Sequence, residues 1–122
     1  MHRAVSAYAS TSKAGLSGRD LEASLLLKSA AKLQALHDDF ERRRDELEEA
    51  LAYNRKLWTV LAASVADDAN PLPAPIKKNL GNLAVFIFKQ SLSLQIEPRP
   101  EGLRPLVNIN RDIAAGLRAQ AA

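Results

Sequence analysis

The stretch Pro73–Ile96, PAPIKKNLGNLAVFIFKQSLSLQI, decides how the rest of the chain is read. Ile76, Leu80, Leu83, Ile87 and Leu94 fall at helical spacing on one stripe. Val85, Phe88, Leu92 and Ile96 make a second stripe, and Phe86 widens the coverage. A helix that is apolar on more than one side must be covered from more than one direction. The expectation is therefore a central post, with amphipathic helices from the rest of the chain packed around it.

Working outward, the neighbours supply such partners. N-terminal to the stretch, Asp67-Asp68-Ala69-Asn70-Pro71 ends a preceding helix, because Pro71 cannot continue it and restricts the residue before. That helix spans about Arg42 to Val65, with Leu47, Leu51, Asn54, Trp58, Leu61 and Val65 on its buried stripe. C-terminal to the stretch, Glu97-Pro98-Arg99-Pro100-Glu101-Gly102 is a linker. A closing helix from about Leu103 to Leu117 then carries Leu103, Leu106, Val107, Asn110, Ile113, Ala114 and Leu117 on its apolar side.

Further upstream, a helix from about Arg19 to His37 buries Leu21, Leu25, Leu26, Ala30, Leu33 and Leu36. Ser17 before it is a candidate N-cap with Asp20 three residues on, and Leu16 and Leu21 can form the hydrophobic staple. A short helix over residues 3–13, carrying Val5 and Tyr8, must dock to persist. Neither Gly nor Pro occurs between Arg19 and Asn70, so one continuous helix of roughly 75 Å at 1.5 Å per residue is the alternative to a break. Such a length exceeds what a small domain can cover. The capping-box pattern Asp38-Asp39-Phe40-Glu41 places the break there, with Asp38 as cap. The charged run that follows would form i,i+4 pairs (Asp38–Arg42, Asp39–Arg43, Arg42–Glu46, Arg44–Glu48), each contributing about 0.2–0.5 kcal/mol. No strand-like alternation and no repeat appears. The fold class is all-α, a single-domain bundle of about five helices over residues 1–122.

Bulk properties agree. With 122 residues, 47% hydrophobic and 25% charged, the chain can bury one core but not two. It has no cysteine, hence no disulfide framework, thiolate nucleophile or Cys-based zinc site. The longest apolar run, Leu83–Phe88, is far below the roughly 20 residues that span a bilayer. The opening MHRAVSAYASTSKAG turns polar too early for a signal-peptide core, so a cytoplasmic location is expected. The net charge of +3 is mildly basic, but Lys and Arg are interleaved with acids rather than gathered on one face. His2 and His37 have no i,i+4 metal-binding partner, and Gly15-Leu16-Ser17-Gly18 lacks the Lys and preceding strand of a phosphate loop. Neither an enzyme nor a cofactor is expected.

Two polar residues exceed what a plain bundle needs. Asn54 sits on the apolar stripe beside Trp58, and Asn110 lies on the core side of the closing helix. They either satisfy one another or a helix end, fixing helix register, or they offer amides to a partner's backbone. Trp58 is a core residue, or an interface anchor if its edge reaches the surface.

Four blocks also resemble a known family. Leu16-Ser17-Gly18-Arg19-Asp20-Leu21-Glu22-Ala23 resembles the opening motif of the FlaF family of flagellar-biosynthesis proteins, and Ala50-Leu51-Ala52-Tyr53-Asn54-Arg55-Lys56-Leu57-Trp58-Thr59 its middle motif. Asn70-Pro71-Leu72-Pro73 with Lys78-Asn79-Leu80, and Ile109-Asn110-Arg111-Asp112-Ile113-Ala114-Ala115-Gly116-Leu117, resemble the last two. The blocks come in family order and cover most of the chain.

The resemblance implies a small cytoplasmic helical protein that promotes flagellin production and export. Family members bind flagellin and act opposite FlbT-type repressors of its translation. Flagellin's terminal segments are amphipathic helices, which a helical domain can accept in the helix-in-groove mode. The corresponding expectation is a groove between the Asn54–Trp58 helix and the closing helix. Leu57 and Trp58 would be its apolar anchors, Asn54 and Asn110 its amide contacts, and Arg19, Arg55 and Arg111 would pair with groups at its edge. The alternative is a regulator acting on flagellin message or on the FlbT-type repressor. Aromatics at 5% leave few stacking platforms for single-stranded bases, so direct nucleic-acid binding is the weaker reading.

Overall fold

The alternation of leucine-rich stripes with polar breaks yields helices joined by short connectors and no strand among the described residues, which in this computed structural model are residues 18–121. Helix α1 spans Gly18–Asp38. A single turn, α2 (Phe40–Arg43), and a 3₁₀ turn over Arg44–Glu46 lead into α3, Leu47–Ala66. Helix α4 spans Ala74–Ile96, and a 3₁₀ turn over Pro100–Leu103 leads into α5, Arg104–Ala121. The four long helices make the expected all-α domain. The proposed helix over residues 3–13, the Ser17 cap and the Leu16 staple lie outside the described residues. No helix among the described residues is long and apolar enough to cross a membrane.

Neighbouring helices run antiparallel. Ser24, early in α1, accepts a hydrogen bond from Arg118, late in α5 (3.4 Å). Ser29 of α1 meets Asn54 of α3, and the Lys32 ammonium lies 4.3 Å from the centre of the Tyr53 ring. At the far end of α3, the Asp67 carbonyl accepts from Lys77 Nζ, near the start of α4 (3.3 Å).

The centre of the bundle is α1, not the Pro73–Ile96 helix. Helix α1 packs along α5 most extensively, also on α3 and on the 3₁₀ turn before α5, whereas α4 packs mainly on α3. Side-chain size explains the exchange. Ala23, Ser29 and Ala30 are buried on α1 beside Leu26, Leu33 and Leu36, and these small residues let two other backbones come close. On α4 one face is buried, through Leu80, Ala84, Ile87, Ser91 and Leu94. Val85, Leu92 and Ile96 of its second apolar stripe face solvent, while half-buried Phe88 packs against the edge of the core. Leu21 and Leu25, expected in the core of α1, are half-buried.

The break near Asp38 is real, but its chemistry differs from the capping box. Asp39 occupies the N-cap position of α2 with φ −138° and ψ 47° and makes no side-chain cap bond. The Asp38 carboxylate accepts from Gln34 Nε2 (2.8 Å) and pairs with His37 Nδ1 (3.0 Å), and the His37 bond holds it below its ordinary pKa. Because this segment closes through a short turn and a 3₁₀ turn, α3 starts at Leu47 rather than Arg42. Its ion pairs are i,i+3, not i,i+4: Arg42–Asp39 (2.6 Å), Arg43–Glu46 (2.8 Å) and Arg44–Glu41 (4.0 Å). The 3₁₀ turn, which eclipses residues three apart, accounts for Arg43–Glu46; Arg42–Asp39 and Arg44–Glu41 pair across the α2 turn, where residues three apart are also neighbours.

The α3 and α5 stripes stand nearly as read. Leu47, Leu51, Asn54, Trp58, Leu61 and Val65 are buried on α3; of the residues expected on the closing helix, Leu103 is buried in the 3₁₀ turn before α5 and the rest are buried on α5 except Ile113, which is half-buried. The connector before α4 is pinned by its own side chains. Asp67 Oδ1 accepts from the Ala69 N–H and Asn70 Oδ1 from the Leu72 N–H, both at 2.9 Å, which seats Leu72 in the core.

Candidate functional site

The residues singled out by sequence separate into an internal cluster and scattered surface groups. Asn54 and Trp58 lie one turn apart on α3, and Asn110 reaches them from α5; all three are fully buried. Trp58 Nε1 donates to Asn110 Oδ1 (2.9 Å), and Asn110 Nδ2 donates to Asn54 Oδ1 (2.8 Å) and to the Leu26 carbonyl (3.4 Å). Ser29 Oγ donates to the same Asn54 oxygen (2.8 Å). The cluster therefore ties α1, α3 and α5 together at one level of the bundle. Each member accounts for another's polar atom, as buried groups require, and Asn54 Nδ2 alone is left without a partner.

This arrangement replaces the expected partner groove. The indole, the Asn110 amide and the Asn54 oxygen are used inside the chain and all three side chains are fully buried, so Trp58, Asn54 and Asn110 present nothing to a partner in this fold. Burying an indole removes about 150–250 Å² from water, about 4–6 kcal/mol at about 25 cal/mol per Å², and places Trp58 among the main supports of the core. Leu57 is half-buried and packed against that core.

The three arginines do not share an edge. Arg19 is half-buried at the start of α1, beside a cleft of about 300 Å³ lined also by Glu22, Ser64 and Asn70. There burial pushes the Glu22 carboxyl above its ordinary pKa, with Arg19 pulling the other way. Arg111 is exposed near the opposite end of α1, in a cleft of about 230 Å³ with His37, Asp38 and Arg104. Arg55 is half-buried on α3, and its Nη1 is buried with no hydrogen-bond partner.

The surface feature that stands out is on α4. Val85, Phe86, Leu92 and Ile96 are 51%, 41%, 57% and 76% exposed. Val85, Leu92 and Ile96 lie on one stripe opposite the buried face, and half-buried Phe88 borders it. A depression of about 510 Å³ lies along its lower half, lined by Lys89, Leu92, Ser93, Ile96 and Glu97. Contiguous exposed apolar side chains of this size mark interaction sites more often than isolated ones do. The sequence carried this signal as the second stripe of the Pro73–Ile96 stretch; what it lacked was the side on which the bundle would close.

The family model described as flagellar protein FlaF matches residues 4–117. The chain belongs to the FlaF family. Comparison with curated proteins and with solved structures gave no match. In this FlaF protein, the blocks that carry the family resemblance are largely structural: Asn54, Trp58 and Asn110 build the buried cluster, and Asn70 and Leu72 build the connector. The exposed stripe of α4 lies outside the quoted blocks.

Proposed function

We propose that this FlaF protein binds flagellin in the cytoplasm as a chaperone and regulator that promotes its synthesis and secretion. Family membership supports a flagellar role, and the unpartnered apolar face of α4 supports a role as a binding protein for an amphipathic segment. That face is the single observation that carries the client-binding reading. A helix that polymerises when free stays soluble if its apolar side is covered, and helix-on-helix docking is the economical way for an all-α domain to do so. Binding, not bond chemistry, is the activity.

Co-purification tests it. Full-length flagellin should be retained by the immobilised chain, and flagellin stripped of its terminal helices should not. Equal retention of both forms, or of neither, would contradict the reading. A gel-shift with flagellin leader RNA that weakens steeply with salt, by about 0.7 per neutralised phosphate in log–log form, would favour direct action on the message instead.

A further inference from the structure

We infer that the outer face of α4 is built to receive one amphipathic helix whose apolar seam is flanked by acidic residues. The inference deepens the client-binding reading and rests on it only for the client's identity. Gly81, Val85, Phe88, Leu92 and Ile96 follow one another at steps of four, three, four and four, the spacing with which a helix presents a packing seam to another helix. The seam covers about 22 Å at 1.5 Å per residue, about four turns. Gly81 opens it at its upper end, and a Cβ added there would meet nothing within 4 Å, so a partner backbone can cross close at that point.

Charge selects the occupant. From Ala74 to Ile96, α4 carries Lys77, Lys78 and Lys89 and no acidic residue. Lys77 is engaged with the Asp67 carbonyl. Lys78 and Lys89 are exposed, both lie along the same flank of the seam, and neither forms an ion pair among the described residues. The acid at the lower rim, Glu97, faces Arg99 at 3.7 Å. A second copy of this face would bring lysine without an answering acid. A helix with glutamates beside its apolar seam satisfies both lysines, and like-charge flanks are rejected.

The test uses the full chain and two synthetic helices of identical leucine seam, one flanked by glutamates and one by lysines, titrated by fluorescence anisotropy. The glutamate-flanked helix should bind at least about tenfold more tightly than the other. Leu92→Asp should weaken it by about tenfold or more with an unchanged melting curve, and Gly81→Ala should weaken it several-fold. Lys78→Glu combined with Lys89→Glu should reverse the preference. Binding indifferent to Leu92→Asp, no preference between the two helices, or no binding of either would overturn the inference. So would a dimer that Leu92→Asp dissolves, or binding to anionic vesicles in place of the helices. Flagellin failing to bind while the synthetic helices behave as stated would remove the proposed client and leave the surface assignment standing.

Discussion

At the scale of single residues, the Asn54–Trp58–Asn110 cluster shows how much a buried hydrogen bond depends on both partners. Asn110→Leu keeps the branched shape at a larger volume and leaves the Trp58 N–H buried and unpaired, at a cost of about 1–3 kcal/mol besides any overpacking. Adding Trp58→Phe should cost less than the two single changes summed, since the orphaned donor goes with it. Urea unfolding of the four proteins of the cycle measures this, and strict additivity would mean that the 2.9 Å bond between them contributes nothing. Glu22 supplies a pH test. Its pKa is raised by burial, so the stability it contributes is present while it is protonated and is lost as pH rises through the raised value. Glu22→Gln should therefore be more stable than the parent at neutral pH, with the difference shrinking as pH falls through the carboxylate range. A constant difference across that range would contradict the direction given for Glu22.

At the scale of elements, helix existence was legible from the apolar spacing, while the closing geometry was not. The stripes of α3 and α5 could be read because each has one dominant face. The central role of α1 could not, because it depends on Ala23, Ser29 and Ala30, whose small size reads as weak hydrophobicity although it is what permits close packing. The α3 start is hard to place for a related reason: a 3₁₀ turn and an α-helix accept the same charged sequence, and their different hydrogen-bond step changes which carboxylate Arg43 reaches. The site was legible as a pattern, since the second stripe of α4 is plain in the sequence. Its exposure was not, being a property of where the other helices lie.

The turn before α5 offers an element-scale test. Gly102 is buried, its carbonyl accepts from Gln90 Nε2 (2.9 Å), and a Cβ there would strike the fully buried Leu94 side chain. Gly102→Ala should cost about 1–3 kcal/mol by overpacking. Gly116→Ala, on the exposed side of α5 with open space around the new carbon, should raise stability by about 1 kcal/mol. A Gly102→Ala midpoint in heat or urea that stayed level or rose would show that Gly102 is not a close-contact position, and a fall for Gly116→Ala would contradict the open space there.

At the scale of the whole molecule, the chain divides its polar and apolar resources between two jobs. Asn54, Asn110 and Trp58 lock three helices together internally, and the fourth long helix is left with one face in the core and one in solvent. A bundle of this kind holds an apolar strip at its edge without exposing its core, which suits the proposed covering of another chain's helix. The absence of cysteine makes the decisive measurement simple. An environment-sensitive fluorophore is attached to a single cysteine introduced by Leu92→Cys on α4, and in a second protein by Arg111→Cys at the edge of the groove first expected, and each is titrated with full-length flagellin. The account predicts a saturable blue shift for the probe on α4 and none for the probe at Arg111→Cys. A shift at the Arg111→Cys probe with an unchanged α4 signal would contradict it.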